Sequence, residues 1–275
     1  MEKKGARGME IWAADGEKGL MRGRNGEFEK IGPAGEAVCA FRGCVYCAGG
    51  GRGHCYRGAT GEEIFDLSLP TGVCALCPLG DHICALSQDA DCILAFCPGT
   101  GEMRFSVPAG VYPRDLCPSP CGRFLAAAGG LAGEIGIYDE NFECRIQYKV
   151  PGAACAVCFL PRGMLALCAV GEGELSSRLM KISPRGVMEE MHSFPDPPCC
   201  LCALPGGRCL VGCHNQVIFL RADGRISRRI PCPCPVRIRY LKGKPAICDI
   251  CRGEIFTPEG QVIYRGSAPG DGAEC

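Results

Sequence analysis

The sequence predicts an all-β fold, a seven-bladed β-propeller of four-stranded antiparallel blades, organised as a single domain over residues 1–275. Three markers, each recurring seven times in phase, predict it. A Gly precedes a short apolar run at Gly8, Gly43, Gly80, Gly122, Gly163, Gly207 and Gly243, at intervals of 35 to 44 residues. A turn residue follows at Gly26, Gly61, Gly101, Asn141, Gly186, Gly224 and Gly260. A proline then falls at Pro33, Pro70, Pro108, Pro151, Pro195, Pro231 and Pro269. Four short strands per ~40–45 residues is the propeller period. No unit carries the 3.6-residue apolar periodicity that a helical solenoid needs.

The units justify themselves in order. The first opens on the run 10–13 and turns at Asn25-Gly26; the second opens on 44–47 and turns at Thr60-Gly61. The third shows a whole blade, with strands expected over 73–77, 83–86, 92–96 and 103–107 and the Thr100-Gly101 turn before the last. In the fourth, the run 123–126 is followed by Asn141 where the others have Gly. Asn shares the tolerance of positive φ that hairpin turns demand, so the alignment holds. The fifth has 164–167 and Gly186, the sixth 209–212 and Asp223-Gly224, the seventh 246–248 and Glu259-Gly260. Each proline sits between strands, because it has no N–H to give a central ladder. Length alone would favour two domains, but stacked repeats share one continuous core.

The ends of the chain predict how the ring closes. The first unit lacks an inner strand of its own. Elsewhere a cysteine follows the proline by six or seven residues, from Pro33 to Cys39, Pro70 to Cys77, Pro151 to Cys158 and Pro195 to Cys202. Pro269 stands six residues before Cys275. The C-terminal tail is therefore expected to supply the inner strand of the first blade.

Composition narrows the function classes. Lys plus Arg and Asp plus Glu are both 30, so the net charge is zero, and 47% of residues are hydrophobic. That excludes a disordered chain and argues against a nucleic-acid binder, which carries a basic excess. No segment reaches the ~18 apolar residues of a membrane span, and no apolar stretch follows the N-terminal charges as a secretion signal requires. A cytoplasmic monomer with reduced thiols is the expectation. The 25 cysteines are an odd number in a long chain, so they read as small apolar residues rather than as a disulfide framework.

The fourth unit reads Tyr112-Pro113-Arg114-Asp115-Leu116-Cys117-Pro118-Ser119-Pro120-Cys121-Gly122-Arg123-Phe124-Leu125-Ala126. It resembles the YVTN-type repeat that also builds the 6-phosphogluconolactonase-like propellers, with Cys121 where that motif carries Asp. The WD40 signature of Gly-His and Trp-Asp in each blade is missing. The resemblance covers the whole chain as architecture and about fifteen residues as motif. It implies the propeller and permits a lactonase-like activity, but propellers host many unrelated functions.

The cysteines form a pattern within the repeat. Counting five back from the marker Gly gives Cys117, Cys158 and Cys202; with shorter turns allowed, Cys39, Cys77 and the terminal Cys275 join them at one inner-strand site, with Ile238 in the seventh blade. Five Cys-x-x-Cys pairs occur: 44/47, 74/77, 155/158, 199/202 and 248/251. In a regular strand i and i+3 face opposite ways, which opposes shared metal binding. No metal and no cofactor is expected. The one cluster set aside as a metal candidate is Cys199, Cys200 and Cys202 with Cys232 and Cys234.

Catalytic motifs are missing. The histidines, His54, His82, His192 and His214, have no metal spacing, and there is no nucleophile elbow or phosphate-binding loop. Charge on predicted inner strands is more informative, since groups near a propeller axis need partners or a ligand. Arg237 and Arg239 flank Ile238, and Arg114 and Asp115 hold a comparable place in the fourth blade. These four are the candidate ligand-binding residues of a polar channel mouth. The alternative reading of the same residues is internal ion pairing of Arg237 or Arg239 with Asp115 or Asp271. The leading expectation is a non-catalytic propeller binding a protein partner or a small anion at this mouth, rimmed by the proline-rich connections 194–198 and 231–235. A lactonase-like hydrolase and a cysteine-based metal or redox protein are the alternatives.

Overall fold

The computed structural model describes residues 10–24, 27–171, 175–241, 243–267 and 269–274. These residues form seven four-stranded antiparallel sheets. From blade 1 to blade 7 the inner strands are Pro269–Glu274, Ala37–Phe41, Val73–Leu79, Asp115–Pro118, Ala153–Leu160, Pro198–Ala203 and Pro235–Leu241. Each packs on the inner strand of the next blade, and Pro269–Glu274 packs on both Ala37–Phe41 and Pro235–Leu241, so the ring is closed. No helix is long and apolar enough to cross a membrane among the described residues.

The repeat markers have the roles that their chemistry predicts. Gly43, Gly80, Gly122, Gly163, Gly207 and Gly243 all take positive φ between the inner and second strands. Gly61, Gly101, Gly186, Gly224 and Gly260 do so between the third and outer strands. The fourth blade departs by one residue: Phe142, not Asn141, is left-handed, with φ of 61°. Asp139 explains the shift. Its Oδ1 accepts the N–H groups of Asn141 and Glu143. The turn is thereby wound by the aspartate, and the left-handed residue falls after Asn141. Gly8, Gly26 and Cys275 lie outside the described residues.

The core is divided among the blade interfaces. Seven apolar clusters lie one between each pair of neighbouring blades, and the cluster between blades 1 and 2 is built around Trp12, which is fully buried. Every blade thus depends on two neighbours, and a missing contact anywhere exposes two apolar faces.

Ring closure uses the tail. Pro269–Glu274 pairs antiparallel with Ile11–Asp15, Ala273 opposite Trp12 and Asp271 opposite Ala14. Deleting residues 267–275 removes this strand and its contacts with the inner strands of blades 7 and 2. Thermal unfolding is expected to fall by about 10 °C or more, given ~2–4 °C per kcal/mol for a domain of this size. An unchanged melting temperature would contradict closure by the tail.

Candidate site at the channel mouth

The inner strands share a register that defines layers down the channel. Four of them begin with a bulge, at which one residue has no cross-strand partner: Cys74, Cys155, Cys199 and Val236. Arg114 holds the same place in blade 4, its N–H donating to the Ala128 carbonyl one step before Asp115 pairs with Ala128. The next layer is Ala37, Ala75, Asp115, Ala156, Cys200, Arg237 and Asp271. Two residues further in come Cys39, Cys77, Cys117, Cys158, Cys202, Arg239 and Ala273.

This register corrects the cysteine ring. Arg239, not Ile238, is the seventh-blade member, and Ala273 is the first-blade member where the tail's Cys275 was expected. Counting from the glycines fails because the hairpins differ in length. Leu241 pairs with Lys244 across a short turn in blade 7, whereas Pro118 pairs with Leu125 in blade 4. The ring thiols behave as apolar groups. Burial pushes Cys39 and Cys158 well up, Cys117 to about 12 and Cys202 to about 11.

A bulge turns side chains out of the ladder, and here it turns them into one cavity. Cys74, Cys155, Cys199 and Val236 line a space of about 270 Å³ at this mouth, with Arg114, Asp115 and Arg237. Three of the five Cys-x-x-Cys pairs, 74/77, 155/158 and 199/202, are therefore a mouth residue and a ring residue of one strand. The bulge is the signal that sequence reading missed. Arg239 does not join the other three candidates: it lines a cavity of about 250 Å³ at the opposite mouth.

Both channel arginines are ion-paired. Arg237 of blade 7 reaches across the axis to Asp115 of blade 4, Nη1 to Oδ1 at 2.7 Å, while its Nη2 donates to the Cys74 carbonyl of blade 3 at 2.7 Å. Alanines at 37, 75 and 156 leave the room. Arg239 donates through Nε and Nη2 to the two oxygens of Asp271, at 2.8 and 2.7 Å. Each aspartate also accepts a backbone N–H from the next blade, Val157 for Asp115 and Val38 for Asp271. The two carboxyls titrate oppositely. Burial raises Asp115 above the ordinary carboxylate range, outweighing Arg237, the Val157 N–H and Arg239. Burial acts on Asp271 as well, but the two-pronged Arg239 prevails with help from Arg237 and the Gly272 N–H, and holds it low.

Arg114 differs from both. It is exposed, its guanidinium lies 5.7 Å from the centre of the Tyr112 ring, and it makes no ion pair among the described residues. It also lines a second, larger cavity of about 1020 Å³ that runs outward over blades 4 to 6 and shares Cys155 and Pro198 with the mouth. One wall is the loop 129–133. Its Gly130 bridges Ala154 through two backbone hydrogen bonds of 3.1 and 2.9 Å, and its Leu131 N–H donates to the Val111 carbonyl at 2.8 Å. Gly130 has φ of 58° and a Cβ there would strike the Tyr112 carbonyl, so glycine is required. This pinned loop holds Leu131 71% exposed, next to Val111 at 52%.

The metal candidates do not converge. Cys200 donates to the Pro235 carbonyl, Cys232 to Asp249, and Cys202 lies in the cysteine ring, two layers in from the bulge residue Cys199. Among the described residues no three His, Cys, Asp or Glu side chains are placed to hold a metal ion.

Two predictions follow from the pairing. Arg237→Met strands a buried carboxylate and is expected to cost about 3–5 kcal/mol in denaturant unfolding, while Arg237→Met with Asp115→Asn recovers most of it. Equal losses in the single and double variants would show that the pair is not coupled. For pH, Asp115 binds its proton more tightly folded than unfolded. Its contribution is present below the unfolded carboxylate range and is lost as pH rises through its folded pKa. Asp271 is the reverse, present above that range and lost as pH falls through its folded pKa. Unfolding free energy across mildly acidic pH should therefore decline less steeply with rising pH in Asp115→Asn than in the parent. Parallel curves would refute the assignment.

The chain is similar in structure to lactonase-type propellers. A proposed 6-phosphogluconolactonase from Bacteroides fragilis superposes with a TM-score of 0.74 at 11% identity, covering 100% of both chains. The periplasmic gluconolactonase of Pseudomonas aeruginosa superposes at 0.70 with 12% identity over 97% of this chain and 98% of that one. Virginiamycin B lyase of Staphylococcus aureus superposes at 0.67 with 12% identity, over 90% and 94%. No family model and no curated protein matches the sequence. At these identities the likeness shows the fold: the described residues form a seven-bladed propeller with the architecture of the gluconolactonase-like structures.

Proposed function

We propose that this propeller is a binding module that captures an anionic ligand at the mouth lined by the bulged strands, with Arg114 as the anchor. One observation carries the reading. Of the three arginines among the four candidate residues, Arg237 and Arg239 are ion-paired within the channel, and Arg114 is the one with no acidic partner among the described residues. Asp115 and Arg237 line the same mouth cavity and answer each other's charge. An exposed guanidinium beside a neutralised pair offers a planar fork to an anion without competition from a neighbouring carboxylate.

Lactone hydrolysis is the second reading, favoured by the description of the Bacteroides and Pseudomonas structures as lactonases. It needs a general base at the mouth. The carboxylate there, Asp115, already accepts from Arg237 and Val157, and no histidine lines the mouth cavity among the described residues. The binding reading is therefore preferred.

Calorimetric titration with acetate and inorganic phosphate tests it. Binding is expected, and Arg114→Gln should weaken it at least about tenfold, since hydrogen bonds to charged groups contribute ~1.5–3 kcal/mol. Equal affinity in parent and variant would remove Arg114 from the site. Hydrolysis of gluconolactone above background, abolished by Asp115→Asn, would replace the binding reading with the enzymatic one.

A further inference from the structure

We infer that the ligand is an amphipathic monocarboxylate, its head on Arg114 and its apolar body along the groove over blades 4 to 6. The inference rests on the anion-binding reading above and names the ligand class. Arg114 lines both cavities, so an anion held there has the larger one at its back. That groove, of about 1020 Å³, is at the upper end of small-ligand sites. Its walls are apolar: Leu131, Val150, Val170, Leu175 and Pro197, with the Tyr112 ring beside the guanidinium.

Charge complementarity selects the head group. The groove's other cation, Lys149, is paired with Glu134, and none of the described lining residues is acidic. One uncompensated fork matches one carboxylate better than a dianion, which would require further donors.

Exposure selects the body. Leu131 and Leu175 are 71% and 47% exposed, and the backbone that carries Leu131 is bridged to Ala154 and Val111. A rigid backbone presenting large apolar side chains to water at one rim is a surface made to be covered. A flexible acyl or aryl chain covers it at a gain of up to about fourfold in affinity per buried methylene.

Calorimetric titration with acetate, hexanoate, octanoate and decanoate, and with decylamine as the cationic control, tests the proposal. Affinity is expected to rise at least about tenfold from hexanoate to decanoate, with decylamine failing to bind. Arg114→Gln should weaken every carboxylate, whereas Leu131→Ser, on an exposed side chain, should flatten the chain-length dependence and leave acetate unchanged. Arg114-dependent binding of acetate with no gain from longer chains would overturn this inference and leave the anion site standing. If no anion binds, both readings fall. Decanoate binding only after Glu172→Gln and Glu174→Gln would show that the chain's own carboxylates compete for Arg114. A concentration-dependent dimer dissociated by Leu131→Ser and indifferent to decanoate would give the groove to a second copy. Either result would overturn the proposal.

Discussion

Arg237 lies where the seven blades meet, and the geometry of the channel depends on how its charge is answered. A guanidinium largely buried beside a propeller axis has little water to stabilise it, so the walls must supply a counter-ion and acceptors. Asp115 provides the first from three blades away, and the Cys74 carbonyl provides the second. The bond across the axis links blades that share no apolar cluster. It is possible because the same layer carries alanine at three of its seven positions. The pair is therefore better understood as tying blade 7 to blade 4 across the axis than as a source of net stability. Removing the charges together would cost less than removing one, but only the intact pair spans the gap.

The contrast between Asp115 and Asp271 shows how one layer can hold two carboxylates in different states. Both are buried and both accept an N–H from the following blade. Asp271 receives two prongs of Arg239, whereas Asp115 receives one prong of Arg237 because the other is committed to Cys74. The closer approach of Arg239's charge, its second prong and the Gly272 N–H together let pairing outweigh desolvation at Asp271, and Asp115 lacks them. The thiols around them take no part in this balance as anions. They pack as small apolar groups, and burial keeps Cys39, Cys117, Cys158 and Cys202 protonated.

The architecture was legible because it is periodic. Glycines that need positive φ, prolines that cannot enter a ladder and short apolar runs recur in phase, and even the tail strand could be placed by its distance from Pro269. The site was legible only in part, because it depends on deviations from the period. The pairing of Arg237 and Arg239 with aspartates was foreseeable from charge on inner strands, yet their partners could not be assigned without knowing which layer each residue occupies. A miscount of one at Ile238 hid the fact that Arg239 belongs to the cysteine ring and opens to the opposite mouth. Bulges have no sequence marker of their own. Three of the Cys-x-x-Cys pairs were their trace, and a regular strand gives that spacing no meaning. The groove escaped notice because Leu131 and Leu175 lie in loops, where apolar residues carry no periodicity.

Arg114 and Asp115 are adjacent in sequence and opposite in circumstance. The backbone turns inward between them. Asp115 enters the first closed layer and must be neutralised there, while Arg114 stays in the position that bulges occupy in other blades and remains in water. Desolvation separates their roles: an unpaired charge is tolerable at the mouth and not one residue deeper. Side chains at the bulge positions can therefore vary without disturbing the ring, since they belong to no ladder pair and no layer. A propeller stabilised by its blade interfaces and its closed channel leaves this outermost circle free to carry recognition, and Arg114 is the charged member of that circle that no partner within the channel has claimed.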